Sequence, residues 1–123
     1  LQGVEGVGEI TALTEESDQN RLLGKQGSYY AKIVFASPLV DQSRVIGSNL
    51  AERGIDAGGS IEVFETEEAA KKRCDYIATY DGTFMKAGTH AVIGTVLVRT
   101  SDELTASQQK QLEANIIAAL TRL

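Results

Sequence analysis

Three kinds of side chain in this sequence could do chemistry: one thiol, one imidazole and several carboxylates. The chain has a single cysteine, Cys74, and a single histidine, His90, so these two residues form the one nucleophilic Cys-His dyad that can be written. Cys74 falls on the apolar face of a predicted helix, where a cysteine behaves as a small hydrophobic residue. His90 stands at the mouth of a predicted hairpin. We therefore predict structural roles for both and assign no catalytic residue.

Hard oxygen ligands cluster in an acidic stretch before residue 21. Four of them are the candidate metal ligands: Glu15, Glu16, Asp18 and Asn20. Carboxylate and amide oxygens suit calcium. An EF-hand loop starting at Asp18 would need glycine where Leu23 stands and glutamate where Tyr29 stands. The competing interpretation is a solvated acidic turn. One cysteine and one histidine do not make a zinc site, and we expect no cofactor.

Two other patterns invite a chemical interpretation. Gly24-Lys25 resembles part of a phosphate-binding loop, but no hydroxyl residue follows it directly and a strand follows in place of a helix, so a turn is predicted. Glu62, Glu65 and Asp75 lie close in sequence. Paired carboxylates can act as general acid and base. A small carboxylate-dependent hydrolase around Glu62 is therefore the alternative function.

Hydrophobic periodicity predicts the elements that position these side chains. The predicted order begins with a short strand near residues 9–13, a strand at 29–35 and a long connection with one helical turn at 48–53 capped by Ser48. A strand at 60–64, a helix at 67–80 capped by Thr66, a hairpin at 89–99 and a closing helix capped by Thr105 and Gln108 follow. Gly58-Gly59 is predicted as a turn before the third strand, and Ile93-Gly94 as the hairpin turn. The long connection is either a covering loop or a ligand lid.

This order of elements predicts an α+β fold. We expect a two-layer sandwich, with a mainly antiparallel sheet of about four strands and two helices on one face. Residues 1–28 are predicted as an N-terminal polar arm packed on the domain, and residues 29–123 as a single α+β domain. The open face of such a sheet could take an arm, a partner chain or a second copy, and a sheet edge could pair two chains into a homodimer.

Composition excludes several classes of function. The chain has 123 residues, 42% of them apolar, which suits one domain. Its net charge of -5 repels a phosphate backbone, so nucleic-acid binding is not expected. No apolar run approaches the ~18 residues of a membrane span. The sequence begins with Leu1 and its one methionine is Met85, so we expect that an upstream segment has been removed.

A resemblance extends over nearly the whole chain from Gly8 onward. Three segments carry it, reading TEESDQNRLLGKQGSY at residues 14–29, AGGSIEVF at 57–64 and GTVLVR at 94–99. They resemble small, mostly uncharacterised surface proteins and lipoproteins of Gram-positive bacteria, which share such an acidic turn, a Gly-Gly strand before a helix and a hairpin before a Thr-capped helix. Gln19 stands where that group usually has proline, and Ile93-Gly94 replaces an Asn-Gly-like turn.

The resemblance implies export to the cell surface and carries over no catalytic residue. We therefore predict a non-catalytic extracellular or cell-envelope domain, a binding or interaction module of a lipoprotein whose partner is a protein or an envelope component. Membrane contact would come only from a lipid anchor on a removed segment. Besides the hydrolase, the other alternative is a structural cation-binding domain at the acidic turn.

Overall fold

The computed structural model describes residues 3–18, 22–26, 28–78 and 90–121. Its helices and strands are β1 (Ile10–Ala12), β2 (Ala31–Ala36), α1 (Leu50–Arg53), β3 (Gly58–Val63), α2 (Glu67–Ala78), β4 (His90–Ile93), β5 (Val96–Thr100) and α3 (Ala106–Thr121), with short 3-10 turns at Gln42–Arg44 and Gly54–Ala57. The strands form one antiparallel sheet in the order β1-β2-β3-β5-β4. The predicted α+β class and antiparallel sheet are confirmed, with five strands in place of about four.

The two faces of the sheet are covered by different helices. Successive residues of a strand point to opposite faces, so neighbouring residues of β5 identify the two sides. Leu97 packs in a cluster with Ile77 of α2, whereas Val98 packs in a cluster with Ile116 of α3. The prediction that both helices share one face is therefore wrong, and the described residues form three layers with the sheet in the middle.

The reason for this difference lies in the strands. Two helices on one face require strands that are apolar on one side only. In the structure, β2 buries Val34 on the α2 side and Phe35 on the α3 side. In β5, Leu97 is buried on the α2 side and Val98 on the α3 side. A sheet whose strands are apolar on both sides must be covered on both sides. The open face expected for a partner is thus occupied by the chain itself.

Part of the N-terminal segment belongs to the sheet. Ile10–Ala12 pairs with β2 as an edge strand, and the side chains of Val4 and Val7 pack against the cluster under α3. The other edge of the sheet is β4. Among the described helices, none is long and apolar enough to cross a membrane.

Helix caps follow the predicted chemistry closely. Thr66 Oγ1 accepts a hydrogen bond from the Ala69 amide at the start of α2. At α3, Thr105 and Gln108 exchange hydrogen bonds between side chain and backbone, which is a capping box. The predicted cap of α1 is wrong by one residue, since Asn49 takes the place of Ser48. The last two residues predicted for α2, 79 and 80, lie outside the described residues.

Two glycine turns are placed differently from the prediction. The hairpin turns at Gly94-Thr95, where Gly94 has a φ of 59°, so the predicted Ile93-Gly94 turn is shifted by one residue. Gly58-Gly59 lies within β3 and does not form a turn. A Cβ on Gly59 would collide with the backbone carbonyl oxygen of Arg99 in β5 and would lie 2.6 Å from the Phe35 ring. Glycine is needed there because an aromatic ring of β2 packs against the backbone of the neighbouring strand.

Substituting Gly59 with alanine should therefore destabilise the fold. We expect Gly59→Ala to lower the free energy of unfolding by about 3 kcal/mol, because the β5 backbone at Arg99 and the Phe35 ring must both leave their packed positions. Gly3→Ala is the control, since a Cβ there meets nothing within 4 Å and costs only its left-handed backbone, about 1 kcal/mol. Urea denaturation measures both, and equal losses would contradict the packing role of Gly59.

Candidate functional site

A buried cluster of charged side chains lies on the sheet face that α2 covers. The strand register places Lys32 of β2 opposite Glu62 of β3. Two pairs further along, Ser60 lies between Val34 of β2 and Arg99 of β5. Because every second residue shares a face, the lysine, the glutamate and the arginine all lie on one side of the three central strands.

Glu62 is the centre of this cluster. Its side chain is fully buried, and it lies within ion-pair distance of cations from three different elements. Its Oε2 lies 3.0 Å from Lys32 Nζ and 3.8 Å from Arg99 Nη1. The guanidinium of Arg73 on α2 donates from Nε to the other oxygen, Oε1, at 3.2 Å. One carboxylate thus faces three positive charges and links α2 to the sheet.

An aromatic ring and a second carboxylate extend the cluster towards the acidic turn. Lys32 Nζ lies 5.1 Å from the ring centroid of Tyr29, a cation–π distance. The Tyr29 hydroxyl donates to Asp18 Oδ2 at 2.8 Å. The same oxygen accepts the backbone amides of Leu22 and Leu23. The buried Asp18 carboxylate therefore holds the turn against the core.

Burial makes the positive charges of the cluster less favourable than in water. Desolvation lowers the pKa of Lys32, and the attraction of Glu62 opposes this effect. Desolvation also lowers the pKa of Arg99, again opposed by Glu62. An arginine stays protonated at neutral pH even so. The cluster keeps its cations because Glu62 and its acidic neighbours compensate part of the cost.

A pocket of about 190 Å³ opens beside this cluster. Its floor is the sheet, and its wall is the connection between β2 and β3, which carries α1 and the 3-10 turn after it. The lining residues are Leu13, Asp18, Lys32, Val34, Ala51, Arg53, Gly54, Ile55, Asp56 and Arg99. The long connection, predicted as either a cover or a lid, forms one side of this pocket.

Two buried donors on the sheet face beside the pocket have no hydrogen-bond partner among the described residues. Arg99 Nε is one, and the hydroxyl of Ser60 is the other. Ser60 is fully buried, and it sits in register between Val34 and Arg99, which both line the pocket. An unsatisfied buried donor costs about 1 to 3 kcal/mol. The pair therefore marks a place where an acceptor would be stabilised.

The carboxylate of Asp56 lies in the wall of the pocket. Burial raises its pKa, and repulsion from Asp102 and Glu103 adds to the rise. Arg99 acts in the opposite direction. The wall thus carries an acid whose negative charge is disfavoured by its surroundings.

The candidate metal ligands do not share one arrangement. Glu15 and Glu16 are exposed, whereas Asp18 is buried and binds the turn as described above. Asn20 lies outside the described residues. Within the described part of the chain, no group of three or more histidine, cysteine or acidic side chains is arranged to hold a metal ion.

The cysteine and the histidine lie side by side. Cys74 Sγ is 3.2 Å from His90 Nδ1, and both residues are partly buried. Cys74 also packs against the apolar cluster under α2, as its helix position predicts. Sequence spacing could not show this pairing, because it depends on α2 lying along β4. The residues between α2 and β4, 79–89, lie outside the described residues.

Sequence reasoning missed most of the buried cluster. Glu62 was singled out as a reactive carboxylate, but its cationic partners Lys32, Arg73 and Arg99 were not. One signal was present: Lys32 and Glu62 interrupt otherwise apolar strands at positions whose neighbours face the core. The partners themselves follow from strand register, which the sequence does not give. Glu65 and Asp75, the other two carboxylates of that hypothesis, are exposed.

Comparisons with protein-family models, with curated proteins and with solved structures find no match.

Removing the negative charge of Glu62 should be costly. In Glu62→Gln, Lys32, Arg73 and Arg99 would face one another without a counter-charge, and we expect a loss of about 3 to 5 kcal/mol in unfolding free energy. The control is Glu67→Gln, which breaks an exposed pair with Lys71 and should cost at most about 0.5 kcal/mol. Urea denaturation of both variants measures the difference, and similar small losses would contradict the role of Glu62.

Proposed function

We propose that this protein is a non-catalytic binding domain that holds a small ligand in the pocket beside the buried charge cluster. The observation that carries this proposal is the pair of unpartnered donors, Arg99 Nε and the Ser60 hydroxyl, on the sheet face beside a cavity of about 190 Å³ that Arg99 lines. Concave sites with a few converging polar groups on an apolar background are the usual form of small-ligand sites.

The environment of Glu62 supports binding over carboxylate catalysis. A general acid or base must come within hydrogen-bond reach of its substrate. The Glu62 side chain is fully buried and its two oxygens face Lys32, Arg73 and Arg99. In this arrangement it serves better to keep cations charged inside the fold than to exchange protons with a substrate.

We further propose that the domain works outside the cell, as a secreted, surface-bound or lipid-anchored module. The support for this is the resemblance to Gram-positive surface proteins in the acidic turn, the Gly-Gly strand and the closing helix. The partner of such a module is an envelope component or a protein. Fractionation of the producing cells tests the location, and recovery with cytosolic markers would overturn it.

Blocking the pocket should abolish ligand binding. Ala51 lines the wall, and we expect Ala51→Met to fill the space next to it. The assay is amide chemical-shift perturbation with a panel of small carboxylates, amino acids, phosphate esters, sugars and soluble cell-wall fragments. At least one compound should shift the amides of residues 51–56 in a saturable way, and Ala51→Met should weaken that binding at least tenfold.

The matched control is Ala114→Met, which adds the same side chain at an exposed position of α3. It should bind like the original chain. The proposal fails if no compound of the panel shifts residues 51–56, or if Ala51→Met binds as well as Ala114→Met does.

One observation favours a second candidate, a thiol-dependent acyl-transfer enzyme. The 3.2 Å contact between Cys74 Sγ and His90 Nδ1 lies at the distance at which an imidazole can take the proton of a nucleophile. Sγ would attack an acyl carbonyl carbon, the thiol proton would pass to the imidazole, and the leaving group would depart with the bonding electron pair. Water would then hydrolyse the thioester.

A generic activated ester tests this candidate. If the dyad is catalytic, p-nitrophenyl acetate should give a burst of about one p-nitrophenolate per chain, as expected when an acyl-enzyme accumulates. The burst should vanish in Cys74→Ala and slow at least tenfold in His90→Gln, with Glu67→Gln as an unaffected control. A burst of equal rate in His90→Gln, or no burst in the original chain, would exclude the dyad mechanism.

A further inference from the structure

The structure points to a ligand class for the pocket: we propose that it binds a small carboxylate monoanion between Arg99 and Ser60. This inference rests on the proposed binding function and names what the same site holds. It is carried by the chemistry and placement of the two donors, by the size of the cavity and by the charges around it.

The donors are fixed in place before any ligand arrives. Ser60 and Arg99 lie opposite each other on adjacent strands of the sheet. The arginine side chain is 12% exposed and the serine is fully buried, so packing restricts both. Arg99 is also held near Glu62 through Nη1, which leaves Nε as the donor without a partner. Such preorganised donors lose little conformational entropy on binding.

A carboxylate fits these donors better than a neutral acceptor does. The guanidinium is a planar fork whose N–H groups match the two oxygens of a carboxylate. A carboxylate in the pocket can accept from the Arg99 guanidinium, and the Ser60 hydroxyl lies on the same sheet face directly across from Arg99. Lys32 lines the same pocket and adds positive charge close to the site.

The rest of the lining limits the ligand to a small one with a short apolar part. A cavity of about 190 Å³ is below the ~300 Å³ at which typical drug-sized sites begin. Apolar surface comes from Leu13, Val34, Ala51 and Ile55. A two- to four-carbon chain on the carboxylate would contact these side chains once the carboxylate is on Arg99.

The acidic side chains of the pocket disfavour a second negative charge. Asp18 and Asp56 both line it. The Asp18 carboxylate already accepts from Tyr29 and two amides and stays in place. Lys32 and Arg99 are also paired with Glu62, which Arg73 contacts as well. The pocket and the cluster beneath it thus hold four cations and three carboxylates. This balance accommodates one negative charge and repels a dianion such as hydrogen phosphate.

The experiment follows the Nε–H resonance of Arg99 by nitrogen–proton NMR. The peak is assigned by its loss in Arg99→Lys, a variant that keeps the positive charge facing Glu62 and so preserves the fold. Probes are acetate, propionate and inorganic phosphate, titrated at constant ionic strength. Propionate should move the Nε–H peak downfield in a saturable way, with a dissociation constant on the order of 1 mM, as suits a ligand of few atoms. Acetate should bind more weakly, and phosphate at least tenfold more weakly.

Substitutions of Arg99, Ser60 and Asp56 separate the contributions of these side chains to propionate binding. Arg99→Lys removes the Nε–H peak, so its binding is followed through the amides of residues 51–56. This variant should weaken propionate binding by about tenfold or more, since a lysine cannot present the planar fork. Ser60→Ala should weaken it by about fivefold, as loss of one hydrogen bond predicts. Asp56→Asn should tighten it, because a negative charge leaves the wall. The matched control is Arg44→Gln, which removes an exposed cation outside the pocket and should change nothing.

The outcomes distinguish this inference from the proposed function. If another compound of the panel shifts residues 51–56 while propionate leaves the Arg99 Nε–H peak unmoved, the carboxylate inference is wrong and the binding function stands. Phosphate binding as tight as propionate overturns the monoanion assignment. If no compound shifts residues 51–56 or the Arg99 peak, both fail.

Discussion

The neutralisation of one buried carboxylate by three cations sets the arrangement of this molecule. Glu62 lies near the C-terminal end of the central strand with no exposed surface, and its partners come from β2, β5 and α2. A buried charge is tolerated only when it is paired and hydrogen-bonded, so the three elements must stay in register and α2 must lie across this part of the sheet. An apolar cluster would hold the layers together as well, but it would not fix which residues lie opposite each other.

The same constraint creates the site proposed for binding. Glu62 Oε2 lies within ion-pair distance of Lys32 and Arg99 but accepts no hydrogen bond among the described residues, and Arg99 Nε and the Ser60 hydroxyl are also left without a partner. These unpartnered groups raise the free energy of the native state. A ligand that supplies an acceptor recovers part of it, and the recovered free energy becomes affinity. Structural charge pairing and binding are thus two consequences of one arrangement.

Much of the local structure could be predicted from the sequence, because local structure depends on neighbours in the chain. The caps at Thr66 and Thr105 are set by residues three positions apart, and both helices begin where the caps place them. The layer order could not be obtained this way. Leu97 and Val98 are both apolar, so β5 gives no indication of which helix covers which face. The cationic partners of Glu62 and the contact between Cys74 and His90 depend on strand register and helix placement. Neither the register nor the helix placement can be predicted from the spacing of residues in the sequence.

The connection between β2 and β3 shows why a long loop need not be a lid. Gln42 donates to the carbonyl of Ala57 at 2.8 Å, and Arg53 donates to the carbonyl of Gly47 at 3.2 Å, so the connection is tied to itself at several points. Leu50 and Ala57 are buried against Val34 of the sheet. A segment held by buried apolar contacts and internal hydrogen bonds has little freedom to swing open. The pocket wall is therefore preformed, and ligand binding requires little reorganisation of the protein. This low reorganisation cost allows a molecule of only a few atoms to bind measurably.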